Sequence, residues 1–125
     1  MKHTFINIGE VHIQSYAGLV MLQKVYTNLE QKRWNKARKA FVKREFETKG
    51  KLVCTYCGKD DLKIKSNKRH EQCTVDHVVP VSQGGDKFDD KNFTISCYSC
   101  NKKKASKPVD EFKQSKYLKK KKKSL

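Results

Sequence analysis

Two Cys-x-x-Cys pairs set the strongest constraint on what this chain can fold into. The first pair is Cys54 and Cys57, and the second is Cys97 and Cys100. A structural zinc site is a tetrahedron of four nitrogen or sulfur ligands, and two such pairs supply four thiolates. The gap between the pairs exceeds the spacing of about 15–20 residues that is usual in zinc ribbons. The sequence therefore predicts one Zn²⁺ site that joins the two ends of a longer segment.

Two disulfides, a rubredoxin-like iron site and unrelated thiols are the alternatives to zinc. Only 36% of the 125 residues are hydrophobic and 34% are charged, so the core is small. Chains with such a core commonly depend on a structural metal or a disulfide. The fifth cysteine, Cys73, lies three residues before Asp76, and strand alternation would place the two side chains on opposite faces. Cys73 is predicted to be a buried, inert thiol outside the zinc site.

The charge of the chain is strongly positive. Its 29 Lys and Arg residues against 13 Asp and Glu residues give a formal net charge of +16. This imbalance points to a polyanionic partner, and nucleic acid is the commonest one. The alternative is that the lysines only solubilise the protein or bind another anionic surface. The predicted partner is DNA in duplex form.

The N-terminal region has no features of a signal peptide. Its apolar stretch, residues 17–22, is short and contains Gly18. No apolar run approaches the length that spans a bilayer, so no membrane partner is expected. We expect an intracellular, cytoplasmic protein, where paired cysteines bind metal more often than they form disulfides. A small basic protein encoded by a phage or mobile element would fit these features.

Four segments follow from the pattern of the chain. Residues 1–17 alternate apolar and polar positions around Gly9 and are predicted to form a short hairpin. Residues 18–49 have apolar side chains at helical spacing and form a basic helical segment, either as two helices or as one bent helix. Residues 50–115 contain both cysteine pairs. Residues 116–125 form a lysine-rich tail that is predicted to be disordered.

Two groups of basic residues are candidates for contact with nucleic acid. Arg38 and Lys39 lie in the basic helical segment, and Lys102 and Lys103 follow the second cysteine pair. Lysines on a helix face are usually only solvated, but their density here favours phosphate contact.

The segment between the cysteine pairs holds residues suited to phosphodiester hydrolysis. This reaction needs a divalent ion to take up charge on the phosphate and a base to deprotonate water. Asp76 and Asn101 offer the hard oxygen ligands that Mg²⁺ prefers, and His77 offers a neutral imidazole. Because Asp76 and His77 are adjacent, a turn or bulge is expected to re-aim one of them.

These residues, taken in order, resemble the HNH nucleases. The resemblance rests on Asp76-His77-x-x-Pro80, a central Asn92, and a segment that runs from Cys97-x-x-Cys100 through Asn101 to Lys104. It implies an α+β fold: a small ββα-metal unit stabilised by a four-cysteine zinc site and preceded by a basic helical segment. It also implies an endonuclease that hydrolyses DNA phosphodiester bonds with Mg²⁺, or another divalent ion such as Mn²⁺.

The resemblance assigns a role to each motif residue. It makes Asp76 and Asn101 the ligands of the catalytic ion and His77 the general base. It further implies that Asn92 orients the His77 ring through its side-chain oxygen and that Lys104 contacts a phosphate. This chain carries a longer insert than usual after the first cysteine pair, residues 60–72, which would affect which DNA is bound.

Two other classes of function stay open from the residues alone. A zinc-stabilised nucleic-acid-binding module without catalysis would use everything except Asp76, His77, Asn92 and Asn101. A basic assembly or structural protein would use only the lysines and the zinc. Metal-dependent cleavage of DNA separates the nuclease from both.

Overall fold

A computed structural model describes residues 6–8, 11–13 and 15–123. The chain divides into two compact units, Met1–Asn35 and Lys36–Leu125, whose boundary lies inside one helix. In the first unit, strands β1 (Ile6–Ile8) and β2 (Val11–Ile13) pair antiparallel, in the region where the sequence predicts a hairpin. The side chains of these strands lie outside the described part.

Helix α1 runs from Tyr16 to Lys49 as one continuous helix. At its start, the Ser15 hydroxyl accepts a hydrogen bond from the Gly18 amide at 3.1 Å, which is the usual N-cap contact. At its end, Gly50 adopts a left-handed backbone with φ 74°. The sequence did not decide between two helices and one bent helix. A single helix forms because no proline or glycine interrupts residues 19–48.

The second unit has a ββα order. Strands β3 (Cys73–His77) and β4 (Phe93–Cys97) form a two-stranded antiparallel sheet, and helix α2 (Tyr98–Lys104) follows β4 directly. The register pairs Cys73 with Cys97 at one end and His77 with Phe93 at the other. Helix α2 contacts both strands. This order places the motif residues on or beside neighbouring elements.

A small aromatic core supports the sheet. Phe41 of α1 meets Phe93 of β4 edge-on, with ring centroids 5.6 Å apart. Tyr56 and Phe112 make a second edge-on contact at 5.2 Å. Such pairs stabilise beyond their buried area by about 0.5–1.5 kcal/mol each.

Helix α4 corrects the prediction of a disordered tail for residues 116–123. Helix α3 spans Val109–Lys113, and helix α4 spans Lys116–Lys123 within the expected tail. Leu118 is 0% exposed, and the Tyr117 ring lies 6.3 Å from that of Phe112. Burial of these side chains opposes the conformational freedom of the lysine run.

None of the helices in the described residues combines the length and the apolar character that a membrane span requires.

Candidate functional site

The four paired cysteines come together as one buried cluster. The sulfur atoms of Cys54, Cys57, Cys97 and Cys100 all lie within 4.8 Å of one another. The Cys57 and Cys97 sulfurs are 3.8 Å apart, far longer than a disulfide bond of about 2.05 Å. With Zn–S bonds of about 2.3 Å, the edge of a tetrahedron measures about 3.8 Å. The cluster therefore fits a tetrahedral metal ion such as zinc, as the spacing predicts.

The backbone around each pair explains how the sulfurs converge. After the first pair, Gly58 adopts φ 77° and its amide bonds to the Cys54 carbonyl at 3.0 Å, which closes a tight turn. The second pair spans the end of β4 and the first turn of α2. There the Cys97 sulfur accepts a hydrogen bond from the Cys100 amide at 3.4 Å and acts as the N-cap of α2.

A lysine approaches the cysteine cluster from α4. The Lys121 ammonium lies 3.2 Å from the Cys97 sulfur and 3.6 Å from the Cys100 sulfur. Hydrogen bonds from Cys100, then from Cys54 and Lys121, lower the pKa of Cys97 well below its ordinary value. Although burial opposes it, the contact with Cys97 raises the pKa of Lys121. Both shifts favour a thiolate beside an ammonium.

Cys73 lies outside the cluster, as predicted. It is buried at the start of β3, and its thiol is free. Burial raises the pKa of the Cys73 thiol above its ordinary value. A thiol that stays protonated is a poor nucleophile and a poor metal ligand, which is consistent with an inert side chain.

Asp76 is held by two buried side chains. Its Oδ2 atom accepts a hydrogen bond from the Tyr56 hydroxyl at 2.5 Å and forms an ion pair with Lys104 at 3.1 Å. Asp76 is 8% exposed and Lys104 is 0% exposed. Burial, followed by the contact with Asp76, raises the pKa of Tyr56, so its hydroxyl remains a donor. Both contacts fall on Oδ2.

The predicted phosphate contact of Lys104 is wrong. A fully buried ammonium that is paired with Asp76 and also donates to the His77 carbonyl at 3.1 Å cannot reach a phosphate in solvent. Cys100 and Lys104 are four residues apart on α2, so they share one helix face. Because Cys100 belongs to the buried cysteine cluster, the helical spacing of four residues already predicted that Lys104 points inward.

The ion pair between Asp76 and Lys104 predicts a large stability effect. Asp76→Ala leaves a buried ammonium without its counter-charge, and we expect the free energy of unfolding to fall by about 3–5 kcal/mol. Denaturant unfolding of the zinc-loaded protein measures this loss. The double change Asp76→Ala/Lys104→Met removes both charges and should recover most of it. A double variant as unstable as the sum of the single changes would contradict the coupling.

His77 occupies the last position of β3. Its Nε2 atom lies 3.0 Å from the Lys87 carbonyl oxygen, and its ring meets Phe93 edge-on at 5.5 Å. All five residues of β3 pair in register with β4, so the expected bulge between Asp76 and His77 is not found in this strand. Strand alternation sends Asp76 towards Tyr56 and Lys104, and His77 towards Phe93.

Asn92 braces the loop beside His77 and does not bond the ring through its oxygen. Its Oδ1 accepts from the Val79 amide at 2.8 Å, and its Nδ2 donates to the carbonyls of Val79 and Asp86 at 3.0 and 2.9 Å. A Cβ atom on Gly85 would lie 1.9 Å from the Val79 oxygen, so only glycine fits there. The prediction for Asn92 is corrected: the Lys87 carbonyl orients the ring, and Asn92 holds the adjacent segment.

Three further predicted residues lie on helix α2. Asn101 is half-buried on α2, directly after the cluster ligand Cys100. Lys102 and Lys103 are exposed on the same helix, and the Lys103 ammonium lies 5.6 Å from the Tyr117 ring centroid. Tyr56, Lys87 and Lys121 were not identified from the sequence, because their contacts join residues that are distant along the chain.

The cysteine cluster, the ββα order and the motif residues occupy one continuous segment. Residues 54–107 match the family model of the HNH endonucleases. The resemblance is confirmed for this HNH segment, which covers less than half of the chain. Its helices, two-stranded antiparallel sheet and clustered cysteines agree with the predicted small ββα-metal unit. A search of curated proteins gives no match to the chain.

Proposed function

We propose that the HNH segment is a metal-dependent endonuclease that hydrolyses DNA phosphodiester bonds. The family match supports a nuclease-type or nucleic-acid-binding unit. The observation that carries the catalytic proposal is the contact between the His77 ring and the Lys87 carbonyl. The +16 net charge supports a nucleic acid as the substrate.

The Lys87 carbonyl defines the tautomer of the His77 ring. A carbonyl oxygen only accepts hydrogen bonds, so Nε2 must carry the proton at 3.0 Å from it. In the neutral imidazole the lone pair then belongs to Nδ1. A neutral imidazole in this tautomer has its basic lone pair on Nδ1, and accepting a proton from water is the role of a general base. The edge-on contact with Phe93 restrains the ring further.

Asp76 and Asn101 are the proposed ligands of the catalytic ion, Mg²⁺ or Mn²⁺. The carboxylate Oδ1 of Asp76 and the side-chain oxygen of Asn101 suit these ions, because both are hard ligands. Tyr56 and Lys104 would position the carboxylate through Oδ2. A divalent ion held there supplies charge stabilisation to the scissile phosphate and the leaving oxygen.

We further propose that the cysteine cluster holds structural zinc. The four buried sulfurs and their separations suit a closed tetrahedral site, which leaves no open position for a substrate. The site joins the turn at Gly58 to the start of α2. It would therefore hold Asn101, the residue that follows Cys100, at a defined position near β3.

A basic groove between α1 and the start of β3 is the proposed path for a DNA strand. It encloses about 320 Å³, and the described residues that line it include four cations and no carboxylate. These cations are Arg38, Lys39, Lys43 and Lys65. Lysine and arginine side chains along a groove neutralise phosphates and release counterions, independently of base sequence.

If DNA lies in the groove, removing the groove's cations should change the salt dependence of DNA binding. Arg38→Gln/Lys39→Gln should weaken DNA binding and reduce the slope of log K against log salt by about 0.9 for each phosphate that is no longer neutralised. Lys24→Gln/Lys32→Gln removes the same charge from α1 outside the groove and is the matched control. Fluorescence anisotropy with a labelled duplex measures both slopes. Equal slopes for the two double variants would mean that total charge, and not the groove, governs binding.

Metal dependence tests the proposed ion site. Nicking of supercoiled plasmid should saturate with Mg²⁺ in the parent protein and stop in EDTA. Asp76→Asn and Asn101→Ala should each raise the Mg²⁺ concentration needed for half-maximal rate by about tenfold or more. Asparagine is used at position 76 because it keeps a polar partner for Tyr56 and Lys104. A parent-like Mg²⁺ requirement in both variants would refute the assignment, and an intact plasmid under all conditions would leave a binding module.

A further inference from the structure

Helix α4 is anchored to the body of the second unit. Leu118 is fully buried, and the Ser115 hydroxyl accepts a hydrogen bond from the Leu118 amide at 3.2 Å. The Tyr117 ring lies near that of Phe112 in α3. Two ammonium groups, those of Lys103 and Lys121, lie 5.6 and 5.7 Å from the Tyr117 ring centroid. The lysine run is therefore carried on a docked helix with one defined inner face.

One lysine of this run differs from its neighbours. Lys121 is half-buried, and its ammonium lies within hydrogen-bond distance of the Cys97 and Cys100 sulfurs. The other lysines of α4 after Leu118 are exposed: Lys119, Lys120, Lys122 and Lys123. Leu118 and Lys121 are three residues apart, so they share the face that is turned towards the protein.

The contact of Lys121 with the sulfurs affects the charge and the reactivity of a four-cysteine zinc site. Four thiolates around one Zn²⁺ carry two excess negative charges, and here they are buried. A hydrogen bond from an ammonium to a thiolate is charge-assisted and offsets part of that charge. Because it draws electron density from the sulfur, it also makes the thiolate a weaker nucleophile towards electrophiles and oxidants.

We propose that α4 is a cover for the zinc site and that Lys121 is a positioning residue for its thiolates. This inference rests on the proposed occupation of the cluster by zinc. Lys121 slows the loss of zinc and protects the Cys97 thiolate from electrophiles and oxidants. While it contacts the sulfurs, Lys121 does not contact DNA, whereas the exposed Lys122 contacts phosphates.

The rate of zinc release from the full-length, zinc-loaded protein tests whether Lys121, and not its exposed neighbours, retains the zinc. A chromogenic chelator in excess reports the rate for the parent, Lys121→Met and Lys122→Met. Methionine preserves an unbranched apolar side chain, so the packing of α4 is retained. Lys121→Met should release zinc about tenfold faster or more, while Lys122→Met should release it at the parent rate. Lys121→Arg keeps a cationic donor and should restore much of the retention.

The salt dependence of DNA binding should respond to the same two substitutions in the opposite way. Lys122→Met should reduce the slope of log K against log salt, and Lys121→Met should leave it unchanged. Parent-like zinc release by Lys121→Met would overturn the proposal, and so would a reduced salt slope in that variant. A parent protein that contains no zinc when purified in zinc-supplemented buffer would instead remove the zinc assignment itself.

Discussion

Cys54→Ala is expected to remove the zinc and to unfold the HNH segment. Cys54 is 1% exposed and shares the cluster with three other buried sulfurs. Loss of one thiolate opens the tetrahedron. Binding of structural zinc contributes about 10–16 kcal/mol in zinc-finger peptides, more than the net stability of a small domain. The zinc content measured by elemental analysis should fall from one ion per chain to nearly none. The circular dichroism signal of the folded state should be lost as well.

Cys73→Ala is the matched control for that experiment. It also removes a buried thiol, but Cys73 lies at the start of β3 and outside the cluster. We expect it to retain one zinc per chain and to lose only a small amount of stability from the cavity. Equal loss of zinc in both variants would refute the assignment of the four ligands.

The cysteine spacing was sufficient to predict the cluster, because the four ligands belong to two local turns with recognisable sequences. The knuckle at Cys54 and Cys57 needs only a glycine after it, and Gly58 is there. The partners of Asp76 were not predictable in the same way. Tyr56 is separated from Asp76 by 20 residues, and it occupies a spacer position of the motif. Tertiary packing alone makes it a donor to the carboxylate.

The lysine-rich tail shows how composition misled the prediction. A run from Lys119 to Lys123 favours disorder when taken alone. The preceding Tyr117 and Leu118 supply the apolar contacts that dock α4, and Leu118 is fully buried. The same composition hid the difference between Lys121 and the exposed lysines beside it, since charge counts do not record which face of a helix a residue occupies.

Asn92 illustrates a residue whose importance was predicted but whose contacts were not. Both the amide oxygen and the amide nitrogen of its side chain bind loop backbone, at Val79 and Asp86. That loop carries Gly85 and leads into Lys87, whose carbonyl contacts His77. Loop paths of this kind depend on many weak preferences at once, so the sequence indicated the participants and not the bonding pattern.

His77→Ala is expected to lower the rate of DNA cleavage by about 10²–10⁴-fold while the fold persists. The change removes the imidazole but keeps the backbone carbonyl that accepts from Lys104 at 3.1 Å, so the buried ion pair with Asp76 survives. It also leaves the cysteine cluster untouched. Zinc content and duplex affinity should therefore match those of the parent. This separates a catalytic defect from a structural one.

The most direct measurement is the initial rate of plasmid nicking at saturating Mg²⁺ for the parent, His77→Ala and His70→Ala. His70 is an exposed histidine outside the ββα elements and controls for the loss of any imidazole. The proposed function predicts parent-like nicking by His70→Ala and a rate at least about a hundredfold lower for His77→Ala. Nicking by His77→Ala at the parent rate would contradict a general base at this position.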